Sequence, residues 1–269
     1  MANGSVVFVG IAPHPPIMVP EVGGVLAAEV RGSIDAMREL TERVVSSGAQ
    51  TVVIVSPHAP LDARSFVAYG DPHVHGDFAN FRAPQVTVEA PLDAELLMTI
   101  KEQASLDGYS VTPLRESKLD HGTAVPLYFL LRHGWDGRVV ALGYSFLPDK
   151  DHIRFGGCIR RACESIGKPV AFIASGDLSH RLKPDAPAGY NPDAALFDKE
   201  VVEAIQARVP NNIISIDPFL RRMAGECGYR SMLTALGVSD GASSGCEVLH
   251  YEAPFGVGYL VAQISRTDG

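Results

Sequence analysis

The chain is 269 residues long, with 46% apolar and 20% charged residues, which excludes a disordered polymer and suits a globular protein with its own core. Its formal charge is −8, from 23 Lys and Arg against 31 Asp and Glu, and no basic run stands out, so no nucleic-acid groove is expected. No stretch approaches the roughly 18 consecutive apolar residues of a membrane span, no basic signal-peptide start precedes residues 6–11, and four cysteines make no disulfide framework; a cytoplasmic protein is expected.

Residues 6–11 are a short apolar, β-branched run and read as a buried strand. Over 24–47, Leu26, Val30, Ile34, Met37, Leu40 and Val44 recur at steps of three or four, an amphipathic helix that Gly48 closes. A second buried strand is expected at 51–56, and the strand–helix–strand unit favours a parallel pair. Residues 57–81 show no period and read as irregular. Asp93 reads as the N-cap of a helix through Leu96, Leu97 and Ile100.

Further on, the patterns predict helices over 124–131, 152–166, 193–209 and 218–236, and strands over 139–143 and 170–174. The last helix contains Gly225 and Gly228, so a break or kink is expected near Cys227. Stretches 183–192 and 240–245 read as irregular, and 246–251 and 258–264 as closing strands. The fold class is α/β: a mostly parallel central sheet with helices on both faces and closing C-terminal strands. No repeat or linker divides the chain, so 1–269 reads as one domain.

Of nine histidines, four share a context. His14 and His58 follow the strands 6–11 and 51–56 in Pro13-His14-Pro15 and Ser56-Pro57-His58. His180 follows 170–174, ending Ser175-Gly176-Asp177-Leu178-Ser179-His180. His121 lies in Asp120-His121-Gly122, just before a helix. Ligands of open α/β sheets bind beyond the carboxyl ends of the strands, where these side chains would converge, and the prolines stiffen the loops of His14 and His58. His73, His75, His133, His152 and His250 lack this context. A third metal donor is offered by Glu226 or Cys227. Two His and a carboxylate make the non-haem Fe(II) arrangement used with dioxygen, whereas two His and a Cys suit Zn or Cu. Spacing alone leaves both open.

These motifs, with Gly122-Thr123-Ala124-Val125-Pro126-Leu127 and Pro254-Phe255-Gly256-Val257-Gly258-Tyr259, resemble those of the class III extradiol ring-cleavage dioxygenases, catalytic B-subunit type. The likeness runs through nearly the whole chain and is nearest to the bacterial branch related to Memo proteins. It implies that His14 and His58 bind Fe(II), that His180 is the acid/base, and that His121 stabilises reduced oxygen. The dioxygenases carry a Glu before the Gly that aligns with Gly228; here Cys227 stands there, as in the Memo branch, with Glu226 one position earlier.

The implied reaction is extradiol cleavage of a catechol-type aromatic diol with O2, with Asp177 and Asp120 as acceptors that orient His180 or His121; a loop or N-cap residue is the other reading of Asp177. Tyr190 is a candidate contact for the aromatic ring or a surface residue. A homodimer is expected, and no counterpart of a small α subunit is evident. The alternatives are a Zn-dependent hydrolase on His14, His58 and Cys227 with His180 as base, and a Memo-like metal-binding protein without dioxygenase activity.

Overall fold

The computed structural model describes residues 6–267. Ten strands are present among them: β1 (Val6–Ala12), β2 (Thr51–Ser56), β3 (Phe66–Tyr69), β4 (His73–Phe78), β5 (Ala83–Pro91), β6 (Val111–Leu114), β7 (Arg138–Gly143), β8 (Val170–Ser175), β9 (Glu247–Glu252) and β10 (Tyr259–Arg266). Eight of them form one sheet in the order β6-β3-β7-β2-β8-β1-β10-β9, while β4 and β5 form a separate antiparallel pair. The centre, β7-β2-β8-β1, is parallel throughout. Antiparallel β10 and β9 close one side, and β3 joins the other antiparallel to β7.

The helices are α1 (Pro20–Gly23), α2 (Arg31–Ser46), α3 (Ala94–Leu106), α4 (His121–Arg132), α5 (Asp149–Ile166), α6 (Ala194–Gln206), α7 (Pro218–Ala224) and α8 (Tyr229–Ser239). Side chains alternate along each central strand between two apolar clusters. Val53, Val55, Val140, Leu142 and Phe172 face α3, α5, α6 and α8. Val52, Ile54, Val139, Ala141 and Ile173 face α2, α4 and the β4–β5 pair. A strand buried on both faces needs apolar residues at every position, which is why these segments are continuous Val/Ile runs.

Three expectations are corrected. β1 and β2 run parallel but are not neighbours, because β8 lies between them and pairs with both. Residues 57–81 are not irregular throughout, since they hold β3 and β4. The helix expected over 24–47 begins at Arg31 after a 3-10 turn, and Leu26 is 48% exposed rather than part of the apolar stripe.

The expected break near Cys227 separates α7 from α8. Gly225 ends α7 in the left-handed region at φ 62°, its N–H bonded to the carbonyl of Arg221, and Gly228 begins α8. Gly176, just past β8, lies against this turn so closely that a Cβ on it would sit 2.2 Å from the Cα of Gly228. Two facing glycines thus let the β8 loop and the α7–α8 turn touch backbone to backbone. Among the described residues no helix is long and apolar enough to cross a membrane.

Candidate metal centre

Because β2, β8 and β1 are adjacent and parallel, their carboxyl ends open side by side, and the loops that follow deliver His58, residues 176–180 and His14 to one place. His14 is 1% exposed. Its Nδ1 is 2.9 Å from Oγ of Ser175, whose hydroxyl donates to the carbonyl of Gly122 at 2.5 Å. With its proton spent there, Ser175 accepts from His14, so Nδ1 carries the hydrogen and Nε2 presents a lone pair. That lone pair faces Nε2 of His58 at 3.0 Å and Sγ of Cys227 at 3.7 Å.

His58 is held by its backbone N–H, which donates to Oγ of Ser56. His121 opens α4, and its ring stacks on His58 with centroids 4.2 Å apart and lies edge-on to His14 at 5.3 Å. Nitrogens of His14, His58 and His121 fall within 4.8 Å of one another, as do donor atoms of His14, Asp177 and Cys227. His14 is the corner common to both groups.

Asp120 caps α4, accepting from Thr123, Ser56 and Tyr69, and has no hydrogen bond to His121. Asp177 accepts from the backbone N–H of His14 at 3.1 Å, and its other oxygen is 3.7 Å from Nε2 of His14. It makes no hydrogen bond to His180. The Asp177 N–H instead points at Sγ of Cys227, 3.3 Å away. Glu226 lies outside both donor groups: its carboxylate accepts from the backbone N–H of Tyr229 at 2.7 Å, in the first turn of α8. The helix break therefore turns Cys227 toward His14 and Glu226 toward α8. His180, reached by the longer loop, donates from Nδ1 to the carbonyl of Leu178 at 3.0 Å, which leaves Nε2 as the basic nitrogen.

Burial sets the electrostatics. Desolvation, then the neighbouring His58, His121 and His180, holds His14 well below the ordinary imidazole value. Desolvation, with His121 next, lowers His58 to about 4, and burial likewise lowers His121 and His180. Neutral imidazoles are the metal-binding form. Burial raises Asp177 to about 7, and burial followed by the Asp177 carboxylate pushes the Cys227 thiol well up. Neutral soft and borderline donors gathered about buried His14, the more exposed His58 on one side and the half-buried Cys227 on the other, with no cation among them, fit a divalent metal that would stabilise the thiolate.

The other histidines stay apart. His73 lies in β4 beside Glu89, His133 bonds Thr41, His152 is buried against the carbonyls of Pro148 and Ser145, and His250 lies beside Glu252. Tyr190 is 58% exposed. Ser175, at the end of β8, is more than a turn residue: it bonds the Gly122 carbonyl and sets the His14 tautomer. One residue escaped the sequence reading. Phe81 lies edge-on to His121 at 5.4 Å, carried there by the β4–β5 pair, and no sequence signal marked it.

A family model described as the catalytic LigB subunit of aromatic ring-opening dioxygenase matches residues 9–262. The chain is 34% identical over 267 residues to Protein CA_C1420 of Clostridium acetobutylicum, covering 94% of this chain and 56% of that protein. It is 25% identical over 184 residues to a 3,4-dihydroxyphenylacetate 2,3-dioxygenase of Escherichia coli, covering 65% of this chain and 66% of that one. The chain thus spans between about half and two thirds of the length of these curated relatives. The crystal structure of uncharacterized protein JW3007 from Escherichia coli K12 shares the fold, with a TM-score of 0.65 at 17% identity over 96% of this chain and 100% of that one. A match that begins in β1, ends in β10 and takes in every loop of the histidine cluster makes this chain a member of the family of the catalytic LigB subunit of aromatic ring-opening dioxygenases.

Proposed function

We propose that the chain opens the ring of a catechol-type aromatic diol with O2, next to the diol, at a divalent metal held by His14, His58 and Cys227. The observation that carries this reading is the fixed tautomer of His14, which aims a buried lone pair at the two other donors. Bound Fe(II) would supply a chelating point for both diol oxygens and the electron exchange with O2. Both oxygen atoms end in the product, so no further reductant is consumed.

The chain's own groups do the rest. Nε2 of His180, neutral at pH 7 because burial lowers its affinity for protons, takes a proton from a diol hydroxyl and later returns it. His121 donates a hydrogen bond to the oxygen that gains charge as O2 is reduced. Phe81, edge-on to His121, gives the aromatic ring an apolar wall. Asp177 fixes the backbone of His14 and, through its N–H, the sulfur of Cys227.

A second reading has its own support. Cys227, and not Glu226, shares a donor group with His14, and a thiolate favours Zn or Cu, as in a metal-binding protein or hydrolase without ring-opening activity. Metal analysis of the purified protein and oxygen-electrode assays after anaerobic Fe(II) loading separate the two. Catechol-dependent O2 uptake with the absorbance of a ring-opened product is expected. Tightly held zinc with no uptake from Fe(II)-loaded protein would overturn it in favour of the second reading.

A further inference from the structure

We propose that Asp198 is a positioning residue for His180, and that it acts through a single peptide group, the one joining Leu178 to Ser179. The inference rests on the ring-opening reading for the work His180 does, and on hydrogen bonds alone for how its imidazole is held.

Nδ1 of His180 donates to the carbonyl of Leu178 at 3.0 Å. That carbonyl and the N–H of Ser179 belong to one peptide, and in a trans peptide the two point in opposite directions. The Ser179 N–H donates to Oδ1 of Asp198, on α6, at 2.8 Å. Anchoring one end of the peptide plane therefore aims the other end at the imidazole. Burial lowers the proton affinity of His180, and the Leu178 carbonyl is the largest influence working the other way. Asp198 is itself held from β9, because its Oδ2 accepts from the hydroxyl of Tyr251 at 2.8 Å. Gly258 leaves room for it: a Cβ there would collide with Oδ2.

The path of the loop has other supports. The Leu178 N–H and the Ser179 carbonyl both bond Gly258 at 2.8 Å, and the His180 N–H donates to the carbonyl of Ala224 at 3.0 Å. What these leave to Asp198 is the tilt of the one peptide between them. Ser179 is 0% and Asp198 1% exposed, so water cannot stand in for the carboxyl. Without Asp198 the Ser179 N–H would be a buried donor with no acceptor, and the peptide would turn to find one, carrying the Leu178 carbonyl off Nδ1. The imidazole hydrogen would then be free to settle on Nε2, the nitrogen that has to accept a proton. An oxygen of Asp198 can take the Ser179 N–H whether or not the carboxyl is ionised, so the anchor does not depend on its charge.

Two experiments test this. Nitrogen-15 NMR of the intact metal-free protein reads the His180 imidazole, whose signals are those missing from His180→Gln. Wild type should hold the hydrogen on Nδ1. Asp198→Ala should move it wholly or partly to Nε2, and Asp198→Asn, whose amide oxygen still accepts the Ser179 N–H, should restore it. A wild-type His180 with its hydrogen on Nε2, which needs no variant to detect, would overturn the proposal, as would a tautomer unmoved in folded Asp198→Ala. Neither result depends on whether a diol is cleaved. In Fe(II)-loaded protein with catechol, Asp198→Ala should lose roughly ten- to hundredfold in kcat, with KM and metal content close to wild type, and Asp198→Asn should recover most of the loss. An equal loss in Asp198→Asn, or one confined to KM, would mark a merely structural role and overturn the proposal. Absence of turnover in wild type would count against ring opening and leave the tautomer to decide the role of Asp198.

Discussion

Ser175 and His14 are tied by a one-way hydrogen bond: the serine hydroxyl gives its proton to the Gly122 carbonyl and receives that of His14 Nδ1. A residue at the end of β8 thereby decides which nitrogen of a β1-loop histidine is free. Ser175→Ala should lower metal affinity by about 10- to 100-fold, the usual worth of such an orienting partner. Competition with a chelator reads this directly, and an unaltered affinity would remove Ser175 from the site.

Cys227 and Glu226 separate by position. Cys227→Ser should strip most of the bound metal. Glu226→Ala should keep it and instead cost about 1 kcal/mol of stability, because it removes the acceptor of Tyr229 N–H in the first turn of α8. Metal analysis together with urea melts of the two variants checks both halves. Metal loss in Glu226→Ala with retention in Cys227→Ser would reverse the assignment.

The two remaining histidines of the proposed site should leave metal content intact when replaced. His180→Ala is expected to lower turnover by roughly two to four orders of magnitude, as for a positioned proton-transfer group. His121→Ala should lower it by about two orders, comparable to the loss of one donor to developing charge. Because His121 lies within 4.8 Å of the other imidazole donors, its metal content is the sharper measurement, and depletion there would make it a fourth ligand.

Asp198, on α6, accepts from the backbone N–H of Ser179 and from the hydroxyl of Tyr251, both at 2.8 Å. Burial pushes its carboxyl from the ordinary 3.8 up to about 7. Between those values the folded state keeps a proton that the unfolded chain has released. The contribution to stability is thus whole below about pH 4 and falls as pH rises toward 7. Asp198→Asn has no such titration, so its stability relative to wild type should climb across that window. Urea melts of the metal-free proteins at several pH values would show parallel curves if Asp198 titrates normally.

Gly176→Ala places a methyl group 2.2 Å from the Cα of Gly228, a backbone atom that cannot swing aside. A loss of roughly 1–3 kcal/mol or more is expected, with weakened metal binding, since the displaced turn carries Cys227. A melting temperature equal to wild type would show that the turn can move without cost.

Much of this was legible in the sequence. β1, β2, β7 and β8 are sandwiched between two helical layers, so their Val/Ile runs admitted one interpretation. β4 and β5 did not announce themselves, because one face meets water: His73, His75, Gln85 and Glu89 alternate with buried Val74, Val86 and Val88. β6 is four residues long and contains Pro113. The order of strands in the sheet was hidden for a different reason: nothing local to β1 or β2 records that β8 will lie between them. At the site, the histidines showed through their common place after strand ends. The choice between Glu226 and Cys227 did not, because it depends on how the chain turns between two glycines.

The slot taken by β8 has a consequence for how the protein is made. When His14 and His58 have left the ribosome, the strand that will set their loops side by side has not been synthesised. Ser175 and Asp177 arrive with that strand, and Cys227 arrives later still. A growing chain would therefore offer a metal only isolated imidazoles, and loading on the proposed ligand set would wait until the α7–α8 turn has been translated. Bound metal would then mark chains that have passed this turn, and a pool of chains truncated before it would leave the cell's ions untouched.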